Sequence, residues 1–331
     1  MPGSQALRQR IEIVAAELDT VTILNAVVPV YLMMAAGAMS RKFGLLPQTA
    51  DAGLLKLCVN LLFPCLIIER LVGNPEVMNP GRVLTAAALG YVLVALGIGL
   101  SYAIGPLIGL RVGSGRRTFA MATGMQNYGF VAIPVLSALF PGKETLGVMF
   151  TFTLGVELAV WTLGVGTLTG LSNAPWKAAI NVPVISIVTA LVLNFIGAGN
   201  IIPEVLHTTM GNLGGCSVPL SVVLIGASIF DIWGQDRMRW SVAIASPVLR
   251  LGILPIAFFV AATMLPLSLE MKRVLVVQGA MPSAVFGIVL ARHYGGHAAT
   301  AVQVVLATTV ASLVSTPLAI AFGVKWLHLL P

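Results

Sequence analysis

The sequence predicts an all-α integral membrane protein of ten transmembrane helices, arranged as two inverted five-helix repeats whose broken spans four and nine cross. Three observations lead there: a composition suited to lipid, ten apolar windows of spanning length, and prolines that recur about half the chain apart. Of the 331 residues, 57% are hydrophobic and only 9% charged, against about 25% charged in soluble domains. Mean hydropathy is +0.96. Charges this sparse cannot cover a water-facing surface, which excludes a soluble enzyme, a disordered chain and a collagen-like fibre.

Residues 1–20 hold Arg8, Arg10, Glu12, Glu17 and Asp19 without an apolar run. They predict an N-terminal surface segment and no cleavable signal peptide. A spanning helix needs about 20 mainly apolar residues. Windows near 21–40, 52–71, 83–108, 117–140 and 145–169 qualify, and then 177–198, 206–230, 240–265, 272–292 and 298–326. The first repeat therefore covers 21–170 and the second 177–331. A membrane barrel would alternate apolar and polar residues over short segments, and these runs do not.

The net charge of +7 resides in short connectors, so it bears on membrane orientation rather than nucleic-acid binding. With both termini outside, the inner connectors hold ten Lys or Arg and the outer ones eight, the side that the positive-inside rule favours. Cys58, Cys65 and Cys216 lie in apolar stretches and read as buried small hydrophobes. His293 and His297 are separated by Gly295 and Gly296 in a loop, not spaced along a helix to hold a metal. No Walker loop, HExxH motif or triad is present, so no cofactor, metal or enzymatic activity is expected.

The repeat is read from matching positions. VPV at 28–30 returns at 182–184, Pro64 is echoed by Pro219, and Pro47 by Pro203; each pair is 154 to 156 residues apart. Five spans is an odd number, so the second unit enters the membrane from the opposite side. Secondary transporters are often built this way, with substrate at the midplane where the repeats meet. A duplicated scaffold without transport, such as a receptor, is the competing reading.

Spans four and nine read ATGMQNYGFVAIPVLSALF (122–140) and QGAMPSAVFGIVLARHY (278–294), and Asn127 and Pro282 fall at equivalent places. Proline removes a backbone donor, and Gly124, Gly129 and Gly279 loosen the helix nearby. A half-helix N-terminus offers free N–H groups and partial positive charge, which suits a carboxylate. Gln126, Asn127, Tyr128 and Ser283 would add neutral donors. The competing reading is that these residues only kink the helices for packing. Two ionisable residues lie deep in spans, Glu157 and Arg250. Such groups are costly in a bilayer and mark function or a firm partner. Glu157 reads as a proton carrier or as a protonated glutamate bonded to a neighbouring helix. Arg250 reads as a counter-charge to a passing anion or as a snorkelling structural residue.

At these residues the chain resembles the auxin efflux carrier family, which includes plant PIN-type carriers and bacterial permeases proposed for malate and malonate. Similarity runs from VVPVYLMMAAGAMSRKFGLLP (27–47) through VNLLFPCLIIERL and SVPLSVVLIGASIF to GAMPSAVFGIVLARHY, with NYGFVAIP keeping the asparagine-to-proline spacing of the PIN pattern. The resemblance implies a bacterial cytoplasmic-membrane carrier of small organic anions with an elevator-like exchange of access. It also implies proton or sodium as a coupling ion and allows a homodimer. Asn127 matches the asparagine that binds substrate carboxylate, Pro282 the crossing proline, and Arg250 a basic position of the eighth span. Glu157 stands where PIN-type carriers have glutamine, and Gln126 where plant members have proline. The latter implies a milder break in span four. LSNAPWK (171–177) is short where many plant members carry a long loop. A cation exchanger of the same crossed architecture is the alternative, because it would use Glu157.

Overall fold

The structure, a computed structural model, describes residues 2–170, 174–197, 202–233 and 239–329, with side chains from Val21 onward other than that of Trp176. The start of the 171–177 connector, Asp236 and Arg237 lie outside the described residues.

Helix α1 (Pro2–Lys42) runs unbroken into the first span. The second span is α2 (Gln48–Leu57), a π-helical turn (Cys58–Leu62) and α3 (Phe63–Leu71). Pro64 sits in the first turn of α3, and the wider π turn before it absorbs the hydrogen bond that proline cannot make. Helix α4 (Pro80–Ile104) starts at Asn79, whose side chain accepts from the N–H groups of Gly81 and Arg82. Then come α5 (Arg116–Gly124) and α6 (Ala132–Leu139). The fifth span is α7 (Lys143–Ala159), a π turn (Val160–Gly164) and α8 (Val165–Thr169).

In the second half, α9 (Val182–Phe195) begins at Asn181 and α10 (Glu204–Ile232) carries Pro219 inside it. Helix α11 (Trp240–Pro247), a π turn (Val248–Ile253) and α12 (Leu254–Met264) form one rod, again with the π turn just before a proline, Pro255. Helices α13 (Leu269–Ala280), α14 (Phe286–His293) and α15 (Ala298–Trp326) complete the fold.

Among the described residues, seven continuous helical rods are long and apolar enough to cross a membrane, fewer than the ten apolar windows. Windows 117–140 and 272–292 each hold two short helices separated by non-helical chain. Window 177–198 yields α9, whose 14 residues span roughly 21 Å at 1.5 Å per residue, short of the hydrocarbon core. Hydropathy reports the solvent around a segment, not whether its backbone stays helical, so buried non-helical chain reads as part of a span.

The rods pack in two groups. One holds α1, α2–α3, α9 and α10; the other holds α4, α5–α6, α7–α8, α11–α12, α13–α14 and α15. Small residues bring backbones together inside each. A Cβ on Gly226 would stand 1.9 Å from the Met34 carbonyl oxygen in the first group, and one on Gly155 1.7 Å from that of Ala87 in the second. Arg41 ties α1 to both Asp51 and Asp231. In the second group Arg116 donates to the Tyr102 carbonyl at 3.0 Å and Arg239 to that of Gly109 at 2.9 Å.

The fifth span is the axis of the second group: 72% of its most apolar window is buried, against 28–44% in the other six. Glu157 is therefore set among protein, not lipid. Leu313, Val314, Leu318 and Phe322 on α15 are all more than half exposed, as a lipid-facing stripe is. Cysteine placement corrects the expectation of three buried thiols: Cys58 is buried, Cys65 half-buried and Cys216 exposed. Cys216 lies on the outward side of α10, where an apolar side chain meets lipid.

Candidate functional site

The two interrupted spans meet where their helices stop. The chain leaves helix after Gly124 and after Ala280, and the two extended stretches run antiparallel past each other. Asn127 N–H donates to the Pro282 carbonyl at 2.7 Å, and Ala284 N–H to that of Met125 at 3.1 Å. Gln126 and Ser283 thus face one another. Backbone polar groups freed at this depth need partners inside the protein, and several have one close by. Tyr128 N–H bonds the Gln126 carbonyl at 2.9 Å, Gln278 Nε2 the Tyr128 carbonyl at 3.0 Å, and Ser283 N–H the Thr308 hydroxyl at 3.2 Å.

The break in span four is the wider of the two, 125–131 against 281–285, although Gln126 replaces the plant proline. Span four is interrupted without that proline for a physical reason. Pairing with the second stretch and the tight turn at Tyr128 hold the chain out of helix, so no proline is needed.

A cavity of about 520 Å³ lies beside the crossing, between the two helix groups. The second group lines it with Asn127, Tyr128, Gly129, Glu157, Trp161 and Phe286; Phe63, Asn181, Ile187, Ser221 and Leu224 come from the first. Its walls are mainly apolar and aromatic. Gln126, Pro282 and Ser283 do not line it. Successive residues of an extended chain point to opposite sides, so with Asn127 toward the cavity Gln126 turns into the protein. Gln126 and Ser283 are fully buried, and neither the Gln126 amide nor the Ser283 hydroxyl has a protein partner.

Arg250 is also fully buried and off the cavity. From its π turn it donates to the carbonyls of Met281 at 3.1 Å, Gly279 at 3.2 Å and Gln278 at 3.4 Å. Thr316 supplies a fourth donor, to the Ala280 carbonyl at 2.8 Å. A helix C-terminus leaves carbonyls unpaired and carries partial negative charge. Arg250 answers both at the end of α13.

Glu157 does reach the cavity, and three donors converge on it. Tyr128 Oη lies 2.6 Å from one oxygen; Trp161 Nε1 and Asn181 Nδ2 lie 2.9 and 3.1 Å from the other. Trp161 follows one turn later on the same span. Asn181 caps α9, its Oδ1 accepting from Val184 N–H, which leaves its amide N–H groups for Glu157. The carboxylate therefore joins the break in span four to a helix of the other group. Sequence reasoning missed Asn181 as a site residue; its signal was an N-cap residue just ahead of the repeated VPV.

An all-helical membrane protein with two interrupted, crossing spans and a cavity between two helix groups has the build of a transporter. The chain belongs to the membrane transport protein family, whose family model matches residues 22–169 and 166–320. It is also 24% identical over 280 residues to an uncharacterised transporter of Methanocaldococcus jannaschii, covering 82% of this chain and 89% of that one. These relationships point to transport rather than catalysis.

Proposed function

We propose that this protein is a secondary or facilitative carrier of a small organic carboxylate with a largely apolar body. One observation carries the proposal: Asn127 enters a mainly apolar cavity at which the N-terminal ends of α6 and α14 also arrive, Ile133 and Phe286 being lining residues. Half-helix N-termini present free N–H groups and partial positive charge to an anion. Among the described residues no Lys, Arg or His lines the cavity, so a dicarboxylate such as malate or malonate would bring a second negative charge without a counter-charge. An auxin-like aromatic monocarboxylate suits these walls better.

Transport would proceed by the α4–α8 and α11–α15 group sliding against the other, in an elevator-like exchange of access with the cavity at the shared face. The two groups, each tied internally by its own arginines, support that reading. The ten segments would form two inverted repeats with both termini outside. A homodimer and a proton or sodium ion as coupling partner fit the same scheme. The cation-exchanger reading keeps one specific support, a carboxylate in the cavity. In proteoliposomes, labelled indole-3-acetate should accumulate faster than labelled malate, and Asn127→Ala should reduce uptake to background. Sodium-driven proton movement with no carboxylate flux would favour the exchanger.

A further inference from the structure

The charge of the cavity lining does not close. Asp51 is paired with Arg41, but Glu157 has three neutral donors and, among the described residues, no cation within ion-pair distance. An indole N–H can only donate, and the Asn181 carbonyl is committed to Val184, so the carboxylate acts as acceptor toward both. An ionised carboxylate takes all three donors as an acceptor at both oxygens. An ionised carboxylate offers about four lone-pair sites, and three are taken. In that form one acceptor position and a full negative charge remain on a side chain 9% exposed, facing a cavity with aromatic walls.

Resting on the carboxylate reading above, we propose that the substrate carries a cationic nitrogen as well as a carboxylate, and that Glu157 receives the nitrogen. The ligand is then a zwitterion of the amino-acid type. Its carboxylate sits at Asn127 and the half-helix ends, its nitrogen at Glu157, and its apolar body against Phe63, Trp161 and Phe286. The aromatic rings around the carboxylate favour the same ligand, since their faces attract cations. Such a ligand brings no net charge into the protein, and it removes the repulsion that Glu157 would exert on a simple anion.

The test uses purified full-length protein and two matched sets of probes: phenylalanine, hydrocinnamate and phenethylamine, then leucine, isocaproate and isoamylamine. In at least one set the amino acid should bind about tenfold tighter or more than its deaminated partner, a difference of about 1.4 kcal/mol. Glu157→Gln should shrink that ratio to about twofold or less. The wild-type preference needs no variant, so misfolding of the glutamine form does not blunt the test. Equal or tighter binding of the plain carboxylates overturns the proposal. So does a carboxylate that reaches the amino acid's affinity when sodium or mild acid is supplied, because the missing charge is then an ion. Amines that bind as tightly as the amino acids, independently of Asn127, would leave Glu157 its role and sink the carboxylate reading instead. Failure of all six probes to bind overturns both.

Discussion

Between α5 and α6 the chain is out of helix over 125–131, extended at first and turning from Tyr128 onward; between α13 and α14 it is out of helix over 281–285. The first stretch turns Asn127, Tyr128 and Gly129 into the cavity. The second hands its freed carbonyls to Arg250 and Thr316 and its Ser283 N–H to Thr308, all inside the helix group. Two interruptions at matching places have thus divided the work. One presents polar side chains to the cavity, and the other is braced inside its helix group.

Five substitutions break or sharpen this contrast. Arg250→Met should act on stability most, because the carbonyls of Gln278, Gly279 and Met281 lose their charged donor together. Removing one partner of a buried charged arrangement costs about 3–5 kcal/mol, visible as a lowered unfolding midpoint in detergent. An unchanged midpoint would mean that the second break does not depend on its brace. Asn127→Ala should leave that midpoint nearly in place but weaken carboxylate binding about 10- to 100-fold, the worth of a hydrogen bond to a charged group, about 1.5–3 kcal/mol. If Asn127→Ala unfolds the protein while affinity holds, the two breaks have their duties reversed.

Gly129→Ala is subtler. A Cβ there meets nothing within 4 Å, so stability should change by less than about 0.5 kcal/mol while the methyl takes space from the cavity. A several-fold shift in affinity toward smaller ligands is expected in a competition assay. By contrast, a Cβ on Gly124 would come within 2.4 Å of the Ile98 backbone nitrogen, so alanine there should disrupt α4–α5 packing. Gln126→Met should do least. Its amide already lacks a protein partner, and replacing an unpaired buried polar group by an apolar one of similar shape is close to neutral or stabilising. Binding reduced tenfold by Gln126→Met would place that side chain in the ligand's path, which the alternation of the extended stretch argues against.

Composition and hydropathy sufficed for the membrane, for the helical class and for most of the spans, because lipid excludes nearly every other arrangement of an apolar backbone. The Gly and Pro near 124–134 and 279–282 located both breaks, and Asn127 stood out as a polar residue inside one of them. Local pattern ended there. That Gln126 turns inward while its neighbour turns outward follows from the extended chain, whereas the sequence offers both residues alike as neutral donors. Arg250 looked like a candidate for meeting an anion, and its partners turned out to be carbonyls some thirty residues away. Glu157 reads from sequence as a proton carrier or as a protonated glutamate bonded to a neighbouring helix; the fold surrounds it with donors from the broken span four, its own helix and the cap of α9. A sequence window records which solvent a residue prefers and which way a regular element would aim it. Which side chains meet is decided by how distant segments pack, and for a buried charge those partners decide what it can do.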